Sequence, residues 1–433
     1  MIELINEELG MRNCTIIGIS DSATPWFPPE VETAIARGQV FSGGRRHREI
    51  MASRLPAGYR WIDITVPLSD VFRQYDEVDG PLTIFASGDP LFYGFAATVE
   101  RERPHWQLTV YPSFHSLQML AHRLCLPYQD MRAVSLTGRP WNALDEALIS
   151  GERLIGCLTD HNKTPQAIWQ RMTDYGFDRY YRMAVGECLG NAEAERVSWV
   201  DLEIKELGIR NEKLGNNPQS STFNLQSSIF NLQSVSSPNC VILQQTAVRP
   251  RPFGIPEKEF HLLDGRERMI TKMPARLLAL SLLDLRHRHQ LWDVGFCTGS
   301  VSIEAKLQFP HLGITAFEVR PECEELMALN SRRHGTPGIR TVMGDVLDAD
   351  LESLPQPDAV FIGGHGGRLR EIILRLHPLM ASGATLVFNS VSDDSCRLFA
   401  DSVHEVGMTL VSETRLAIDN HNPLVIMKAV ISS

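Results

Sequence analysis

The chain has 433 residues, which is too long for one ordinary hydrophobic core, so at least two domains are expected. Its hydrophobic content of 43%, charged content of 22% and formal net charge of −10 are typical of a soluble globular protein and argue against nucleic acid as the main partner. It has neither an apolar run of about 18 residues nor a secretory-type start, which predicts a cytoplasmic protein without a membrane span. Eight dispersed cysteines without a C-x-x-C pair predict reduced thiols and no metal site.

The first part of the chain alternates between apolar runs and turns rich in Pro and Gly. This pattern predicts an α/β domain, in two lobes joined near Tyr111–Pro112. The predicted strands lie at 14–19, 82–86, 107–111, 132–136 and 154–158.

Two turns in this part carry polar residues suited to a binding site. The segment A-S-G-D-P-L-F-Y-G places Gly88 in a tight turn and Asp89 before a proline, where a helix is predicted to begin and Asp89 can equally act as its cap. The segment G-G-R-R-H places Arg45 and Arg46 in a basic turn, where their guanidinium groups can bind substrate carboxylates.

A polar segment then interrupts the alternation. It is rich in Ser, Asn and Gln, and it repeats F-N-L-Q-S at 223–227 and 230–234. Such a composition is typical of a flexible linker. We therefore predict a domain at 11–206, a linker at 207–247 and a second domain at 248–433.

The last part of the chain alternates regularly between apolar strand-like runs and helical stretches. This order predicts a Rossmann-like α/β domain with a mostly parallel sheet. The predicted strands lie at 290–294, 313–318, 339–343, 358–362, 384–389 and 423–431, and predicted helices at 300–308, 321–334 and 367–380.

The most informative motif is L-W-D-V-G-F-C-T-G at 291–299, because a strand runs there into a glycine turn. Gly295 and Gly299 let the backbone approach a ligand, and Glu318, at the end of the next strand, can accept hydrogen bonds from ribose hydroxyls. Cys297 stands at the central glycine position of the dinucleotide motif. The pattern therefore favours S-adenosylmethionine (SAM), which has no pyrophosphate, over NAD.

Three further segments are expected at the same edge of the sheet. Asp293 can orient the glycine loop, meet the cationic end of SAM, or cap a turn. Asp345 and Val346 follow the third strand, where an adenine would lie. Gly363 and Gly364 follow the fourth strand, where the lack of side chains allows a substrate to approach.

Other candidate residues carry charge or can transfer protons. His365 lies in the glycine-rich segment after the fourth strand, where it is either an acid/base group or a solvated histidine. Thr271 either caps a helix or closes over the ligand. Lys272 or Arg276 can bind an acidic substrate, unless both lie on a solvated helix face.

The two parts of the chain resemble two known families. The last part resembles the decarboxylating precorrin methyltransferases of cobalamin biosynthesis, through F-G-I-P-E-K-E-F, I-T-K, L-W-D-V-G-F-C-T-G-S-V-S-I-E-A and F-I-G-G-H-G-G. The first part resembles the tetrapyrrole methylases, specifically their C5-methylating members, through G-G-R-R-H, A-S-G-D-P-L-F-Y-G, P-S-F-H-S-L-Q-M-L-A, S-L-T-G-R-P and L-T-D-H-N-K-T-P. In this order they resemble the family in which both are fused.

This resemblance implies a two-lobed tetrapyrrole-methylase fold followed by a Rossmann-like SAM-dependent methyltransferase fold. It implies methylation of a precorrin of the precorrin-6Y class at C-5 and C-15, with loss of CO2 from the C-12 acetate. SAM would be the one cofactor, the tetrapyrrole the substrate, and self-association the expected state. The implied SAM contacts are Thr271, Gly295, Phe296, Cys297, Thr298, Gly299, Glu318 and Val346 in the second domain, and Gly88, Asp89 and Ser116 in the first.

One departure from the family pattern leaves alternatives open. The first loop of tetrapyrrole methylases is G-x-G-x-x-G, whereas this chain has Gly18, then Ser20 and Ala23 at the other two glycine positions. Either the turn still forms, or SAM binding there is weakened and only the second domain is active. An NAD-dependent oxidoreductase and a binding protein without activity are the remaining interpretations.

Overall fold

The computed structural model describes residues 12–200, 234–418 and 423–432. These residues form two compact units. The first unit comprises 12–138, 153–168, 182–200 and 234–244, and the second comprises 139–152, 169–181, 245–418 and 423–432. The units therefore interleave along the chain, whereas the predicted domains divide it linearly.

The first unit contains a five-stranded sheet in which every strand is parallel to its neighbours. Its strand order is β3-β2-β4-β1-β5. Its central strands, β1 and β4, are almost fully buried, as expected for a parallel sheet covered on both faces. The elements are β1 (Asn13–Ile19), α1 (Pro29–Arg37), β2 (Val40–Gly43), α2 (Arg45–Met51), β3 (Arg60–Asp63), α3 (Leu68–Asp76), β4 (Leu82–Ser87), α4 (Phe95–Glu102) and β5 (Gln107–Tyr111).

A second sheet in this part of the chain is mixed, with strand order β6-β7-β10-β8-β9. The prediction of two lobes is confirmed, because β5 ends the first sheet at Tyr111 and β6 begins the second. The elements are α5 (Ser116–Arg123), β6 (Arg132–Ser135), α6 (Asn142–Ser150), β7 (Leu154–Leu158), α7 (Pro165–Asp174), β8 (Tyr181–Glu187), β9 (Arg196–Val200) and β10 (Asn239–Gln245).

Strand β10 corrects the predicted linker. Residues 239–245 fall inside the segment 207–247, yet they pair antiparallel with β7 from Cys240 to Gln244. The run Cys240–Leu243 is fully buried, so its apolar side chains favour a place in the sheet over solvent. The linker prediction is thus wrong for its last part, and residues 207–233 lie outside the described residues.

The second unit contains a seven-stranded sheet of order β13-β12-β11-β14-β15-β17-β16. Five strands are parallel, and β17 runs antiparallel between β15 and β16. This is the Rossmann-like methyltransferase arrangement that the sequence predicted. The elements are α8 (Met273–Leu283), β11 (Gln290–Val294), α9 (Ser300–Gln308), β12 (Gly313–Glu318), α10 (Glu322–His334), β13 (Ile339–Met343), β14 (Ala359–Ile362), α11 (Leu369–Leu376), β15 (Thr385–Ser390), α12 (Asp393–Glu405), β16 (Thr409–Leu416) and β17 (Leu424–Val430).

Alternate residues of these strands pack into two separate cores. Trp292, Val360 and Phe388 pack with α11 and α12, whereas Leu291 and Phe361 pack with α8 and α9. The two-residue period of a strand sends neighbours to opposite faces, so each face needs its own apolar set. In the part of the chain that the structure describes, no helix is both long and apolar enough to cross a membrane.

Candidate functional site

The glycine loop of the second unit takes up left-handed backbone at three positions. The φ angles are +79° at Gly295, +48° at Cys297 and +75° at Gly299. A Cβ atom added to Gly295 would lie 2.7 Å from the backbone nitrogen of Gly364, so the loops after β11 and β14 meet through their backbones. Cys297 adopts a left-handed conformation that favours glycine, at a cost on the order of 1 kcal/mol.

Glu318 ties this loop to the end of β12. Its side chain is buried, and its Oε2 accepts a hydrogen bond from the backbone N–H of Cys297 at 2.9 Å. Its Oε1 accepts from the N–H groups of Val319 and Arg320 at 2.9 and 3.2 Å, and from the Arg320 guanidinium at 2.9 Å. A carboxylate oxygen accepts about two hydrogen bonds, so Oε2 has one acceptor position left for a ligand.

These segments line a cavity of about 670 Å³ within the second unit. That volume is in the usual range for a small-molecule site. Twelve predicted site residues line it: Thr271, Lys272, Gly295, Phe296, Cys297, Thr298, Glu318, Asp345, Val346, Gly363, Gly364 and His365. The predicted contacts Asp293 and Gly299 do not line it.

Asp293 lies behind the glycine loop. It is 1% exposed, and its Oδ2 accepts a hydrogen bond from the Ser302 hydroxyl of α9 at 2.6 Å. Burial raises the pKa of Asp293 to about 6, although the bond from Ser302 opposes the shift. The geometry places Asp293 between β11 and the first turn of α9, and its role in orienting the loop stays a prediction.

Two buried polar atoms beside this loop have no hydrogen-bond partner within the described residues. They are Asp293 Oδ1 and the hydroxyl oxygen of Thr298. Thr298 is 1% exposed and lines the cavity. Buried polar atoms are rarely left unpaired, so the Thr298 hydroxyl is suited to bind a polar ligand.

The segment before α8 differs in part from its prediction. The helix begins at Met273 with Lys272 at its cap position, so the helix-capping interpretation of Thr271 is wrong. Arg276 is fully buried, forms an ion pair with Glu304 at 3.3 Å and donates to the Thr271 carbonyl at 2.9 Å. Arg276 is therefore not available to a substrate, whereas Lys272 lines the cavity.

Asp345 is engaged within the protein. Its side chain forms an ion pair with Arg368 and accepts from the N–H of Leu347 at 3.0 Å. The hydrogen bond from Arg368 holds the pKa of Asp345 below its usual range, so it is an ionised acceptor at neutral pH. Adjacent Val346 is buried and offers an apolar surface to the cavity.

His365 has a defined ring tautomer. Its Nδ1 accepts a hydrogen bond from the N–H of Gly367 at 3.2 Å, and its ring packs edge-on against Phe388. Burial lowers the pKa of His365 from its usual value. The neutral ring therefore carries its hydrogen on Nε2, and this N–H makes the histidine a hydrogen-bond donor. Nδ1, the basic nitrogen, is occupied by the bond from Gly367.

Sequence reasoning missed several cavity residues. Arg268, Arg320 and Arg368 add positive charge to the lining, and Asn389 adds an amide whose buried Oδ1 has no partner within the described residues. Arg320 follows Glu318 by two residues, just beyond the end of β12, and this position could have predicted it as a cavity residue. Arg368 follows β14 and Asn389 lies within β15, and nothing local marks either residue.

The first unit has its own cavity, of about 500 Å³. Among the predicted residues, Gly88, Ser116 and Arg46 line it, and Asp89 and Arg45 do not. Asp89 accepts from the N–H of Leu91 at 2.9 Å in a turn, and the next helix, α4, begins only at Phe95, so the predicted helix start at Pro90 is wrong. Arg45 is highly exposed and pairs with Glu49 at 3.0 Å.

The altered first loop closes against the turn at Gly88. A Cβ atom added to Gly18 would lie 2.0 Å from the carbonyl oxygen of Gly88, so glycine is required there. Neither Ser20 nor Ala23 has positive φ, so neither needs to be glycine for its backbone conformation. The Ser20 hydroxyl accepts from the N–H of Ser22 at 3.3 Å and supports the turn.

Both units are similar in sequence to known proteins. Residues 263–431 match a family model described as a precorrin methyltransferase domain. A Sinorhizobium protein named precorrin-6Y C(5,15)-methyltransferase (decarboxylating) is 30% identical over 402 residues, which are 92% of this chain and 89% of that protein. A Salmonella typhimurium protein named cobalt-precorrin-6B C(15)-methyltransferase (decarboxylating) is 34% identical over 171 residues, which are 39% of this chain and 85% of that protein.

A crystal structure of precorrin-6y C5,15-methyltransferase from Geobacter metallireducens GS-15 is 30% identical, with a TM-score of 0.39, and covers 42% of this chain and 100% of that chain. The relationship to the Sinorhizobium protein extends through both units, because it leaves out less than a tenth of this chain. At this identity and extent, the chain belongs to the family of precorrin-6Y C(5,15)-methyltransferases (decarboxylating).

Proposed function

We propose that the protein methylates a precorrin of the precorrin-6Y class twice with SAM. The second unit methylates C-15 and removes the C-12 acetate carboxyl as CO2, and the first unit methylates C-5. The observation that carries this proposal is the left-handed loop Gly295–Gly299 joined to Glu318 at the edge of a 670 Å³ cavity. The names of the relatives support the same reactions.

The residues around this loop fit SAM. The free acceptor position on Glu318 Oε2 suits a ribose hydroxyl, and the unpaired Thr298 hydroxyl suits a polar atom of the amino acid end. The N-terminus of α9 begins directly after the loop and favours negative charge, such as the SAM carboxylate. When bound, SAM supplies a methyl group already activated on a sulfonium.

The remaining lining suits an acidic macrocycle. Arg268 and Lys272 supply cations for carboxylate side chains, whereas Phe296 and Val346 supply apolar surface. Alignment of donor and acceptor carbon is the main requirement for methyl transfer, and such positioning can contribute roughly 7–11 kcal/mol to the barrier reduction.

Decarboxylation needs a proton for the carbon that loses CO2. The C–C bond breaks, its electron pair enters the conjugated macrocycle, and the acetate carbon ends as a methyl group once it takes up a proton. The proton comes from water, and we assign to His365, which donates through Nε2–H because Gly367 holds its other nitrogen, a hydrogen bond that positions the substrate for this step. The predicted self-association is not needed for any of these steps and stays a prediction.

Calorimetric titration of the SAM product, S-adenosylhomocysteine (SAH), into the intact protein tests the proposal. We expect two sites per chain, one for each cavity. One site would support the alternative in which only the second unit is active. No binding to folded protein would overturn the methyltransferase assignment.

A further inference from the structure

Three side chains, Ser87, Arg46 and His47, form a hydrogen-bonded cluster at the cavity of the first unit. Ser87 ends β4, and Arg46 and His47 lie in the first turn of α2. The Ser87 oxygen lies 2.8 Å from Nη2 of Arg46 and 3.0 Å from Nε2 of His47. All three residues line the cavity.

The orientation of His47 shows which of its nitrogens donates. The backbone N–H of Gly44 donates to Nδ1 of His47 at 3.3 Å, so the hydrogen of the neutral ring is on Nε2. Burial and the nearby Arg46 charge lower the pKa of His47 to about 4, although a bond to the Phe85 carbonyl opposes the shift. At neutral pH the imidazole is therefore uncharged and donates its single N–H to Ser87.

The hydroxyl of Ser87 is consequently left with a hydrogen to donate. A hydroxyl oxygen has two lone pairs, and Arg46 and His47 direct an N–H to each. Within the described residues, the hydroxyl hydrogen of Ser87 has no hydrogen-bond acceptor. Ser87 is exposed and lines the cavity. Two donors on the oxygen also polarise the O–H bond and strengthen its donation.

The surroundings indicate what would accept this hydrogen bond. Phe92, Tyr93 and Phe114 line the same cavity, and both Tyr93 and Phe114 are partly exposed. Arg46 keeps a third of its side chain exposed while its Nη1 pairs with Asp21 at 3.0 Å. Apolar rings beside a directed O–H and a guanidinium suit a flat macrocycle that carries carboxylates at its edge.

We propose that Ser87 and Arg46 bind a carboxylate of the methyl acceptor in the first unit, and that His47 is the positioning residue that directs the Ser87 hydroxyl. This inference rests on the proposed C-5 methylation. The same chain carries the proposed C-15 reaction in its other unit, which supplies an internal reference for every variant.

The test is steady-state kinetics of the intact protein at saturating SAM, with the tetrapyrrole varied and the C-5 and C-15 products separated by mass spectrometry. Ser87→Ala should raise the KM for the tetrapyrrole in the C-5 step roughly tenfold to a hundredfold, the usual range for a lost hydrogen bond to a charged group. Ser87→Thr keeps the hydroxyl and should restore the KM. His47→Leu should behave as Ser87→Ala, whereas His47→Gln keeps an N–H near the Nε2 position and should stay near the parent.

Ser53→Ala, an exposed serine after α2 that does not line the cavity, is the matched control. In every variant the C-15 step should be unchanged. An unchanged KM for Ser87→Ala, in a protein whose parent methylates C-5, would overturn the inference alone. A parent that forms no C-5 product would instead show that the proposed function of the first unit fails, and the inference with it.

Discussion

Both glycine loops of this protein have a glycine where a side chain would meet backbone, but only the second loop also has left-handed backbone at its glycines. In the second unit, Gly295 and Gly299 have left-handed backbone, and Cys297 between them shares it. In the first unit, Gly18 has no positive φ, and it must be glycine because the Gly88 carbonyl occupies the space of a side chain. The number of glycines in a loop therefore does not measure whether the loop can form.

This difference bears on whether the first site works. Ser20 and Ala23 replace two glycines of the family pattern, yet their backbone is in a region that any residue can adopt. By contrast, the second loop matches its motif more closely but places a non-glycine residue, Cys297, at φ +48°. Backbone strain is thus expected in the second loop, although its sequence is closer to its motif.

The largest effect is expected from Glu318→Gln. The substitution removes the charge that holds Cys297, Val319 and Arg320, and it leaves one acceptor oxygen for the loop and the ribose where the carboxylate has two. SAH affinity of the second site should fall about a hundredfold, since bonds to a charged group contribute roughly 1.5–3 kcal/mol each. Calorimetry should then count one site where the parent has two. Glu322→Gln, at the exposed start of α10, is the control, and a retained second site would argue against the role of Glu318.

Substitution of the two loop glycines should separate the sites. Gly295→Ala brings a Cβ within 2.7 Å of the Gly364 nitrogen, and Gly18→Ala brings one within 2.0 Å of the Gly88 oxygen. Each variant should lose SAH affinity about tenfold or more at its own site, because the backbone must shift by an amount that costs roughly 1–3 kcal/mol. Each serves as the control for the other. Loss at both sites in either variant would indicate general unfolding.

Acid should destabilise the first unit through two partly buried histidines. Burial lowers the pKa of both His47 and His115 to about 4, whereas the unfolded chain titrates near 6.5. The unfolded state therefore binds more protons between these values, so stability is full above pH 6.5 and is lost as the pH falls toward 4. The expected loss at pH 5.5 is about 1 kcal/mol after allowance for solvent screening.

Urea titration with hydrogen-exchange readout on β1 and β4 measures this loss. The double variant His47→Gln, His115→Asn keeps donors and caps but does not titrate, because His115 Nδ1 accepts from the N–H of Gln118 at 3.2 Å and Asn also caps helices well. Its stability should vary less between pH 7 and 5.5 than that of the parent. Equal pH dependence in both proteins would contradict the assignment.

The smallest effect is expected from Ser20→Gly. Since Ser20 has no positive φ, a glycine relieves no strain, and only the weak bond to the Ser22 N–H is lost. SAH affinity of the first site should change by less than about threefold, which corresponds to roughly 0.5 kcal/mol. A large gain in affinity would show instead that the altered loop had weakened this site.

The elements of the second unit were largely predictable. The central parallel strands β11 and β14 are buried on both faces, so they appear as largely apolar runs, and the strands predicted at 290–294 and 358–362 are confirmed. The missed strand β16 lies at the sheet edge and has mostly exposed or half-exposed residues. The first unit was harder, because the unpredicted strands β2 and β3 have only four residues each and give little periodicity, whereas the predicted strand at 132–136 is confirmed as β6.

Local sequence sufficed wherever one strand and its own turn form the feature, as at Gly295 and Glu318. It did not suffice where a side chain is fixed by a partner far along the chain. Arg276 is buried in an ion pair with Glu304 and does not line the cavity. Ser87 is oriented by Arg46 and His47. Strand β10 joins a sheet whose other strands precede it in the chain. Such pairings depend on which segments the packed core brings together, because hydrogen bonds and ion pairs act over only a few ångströms.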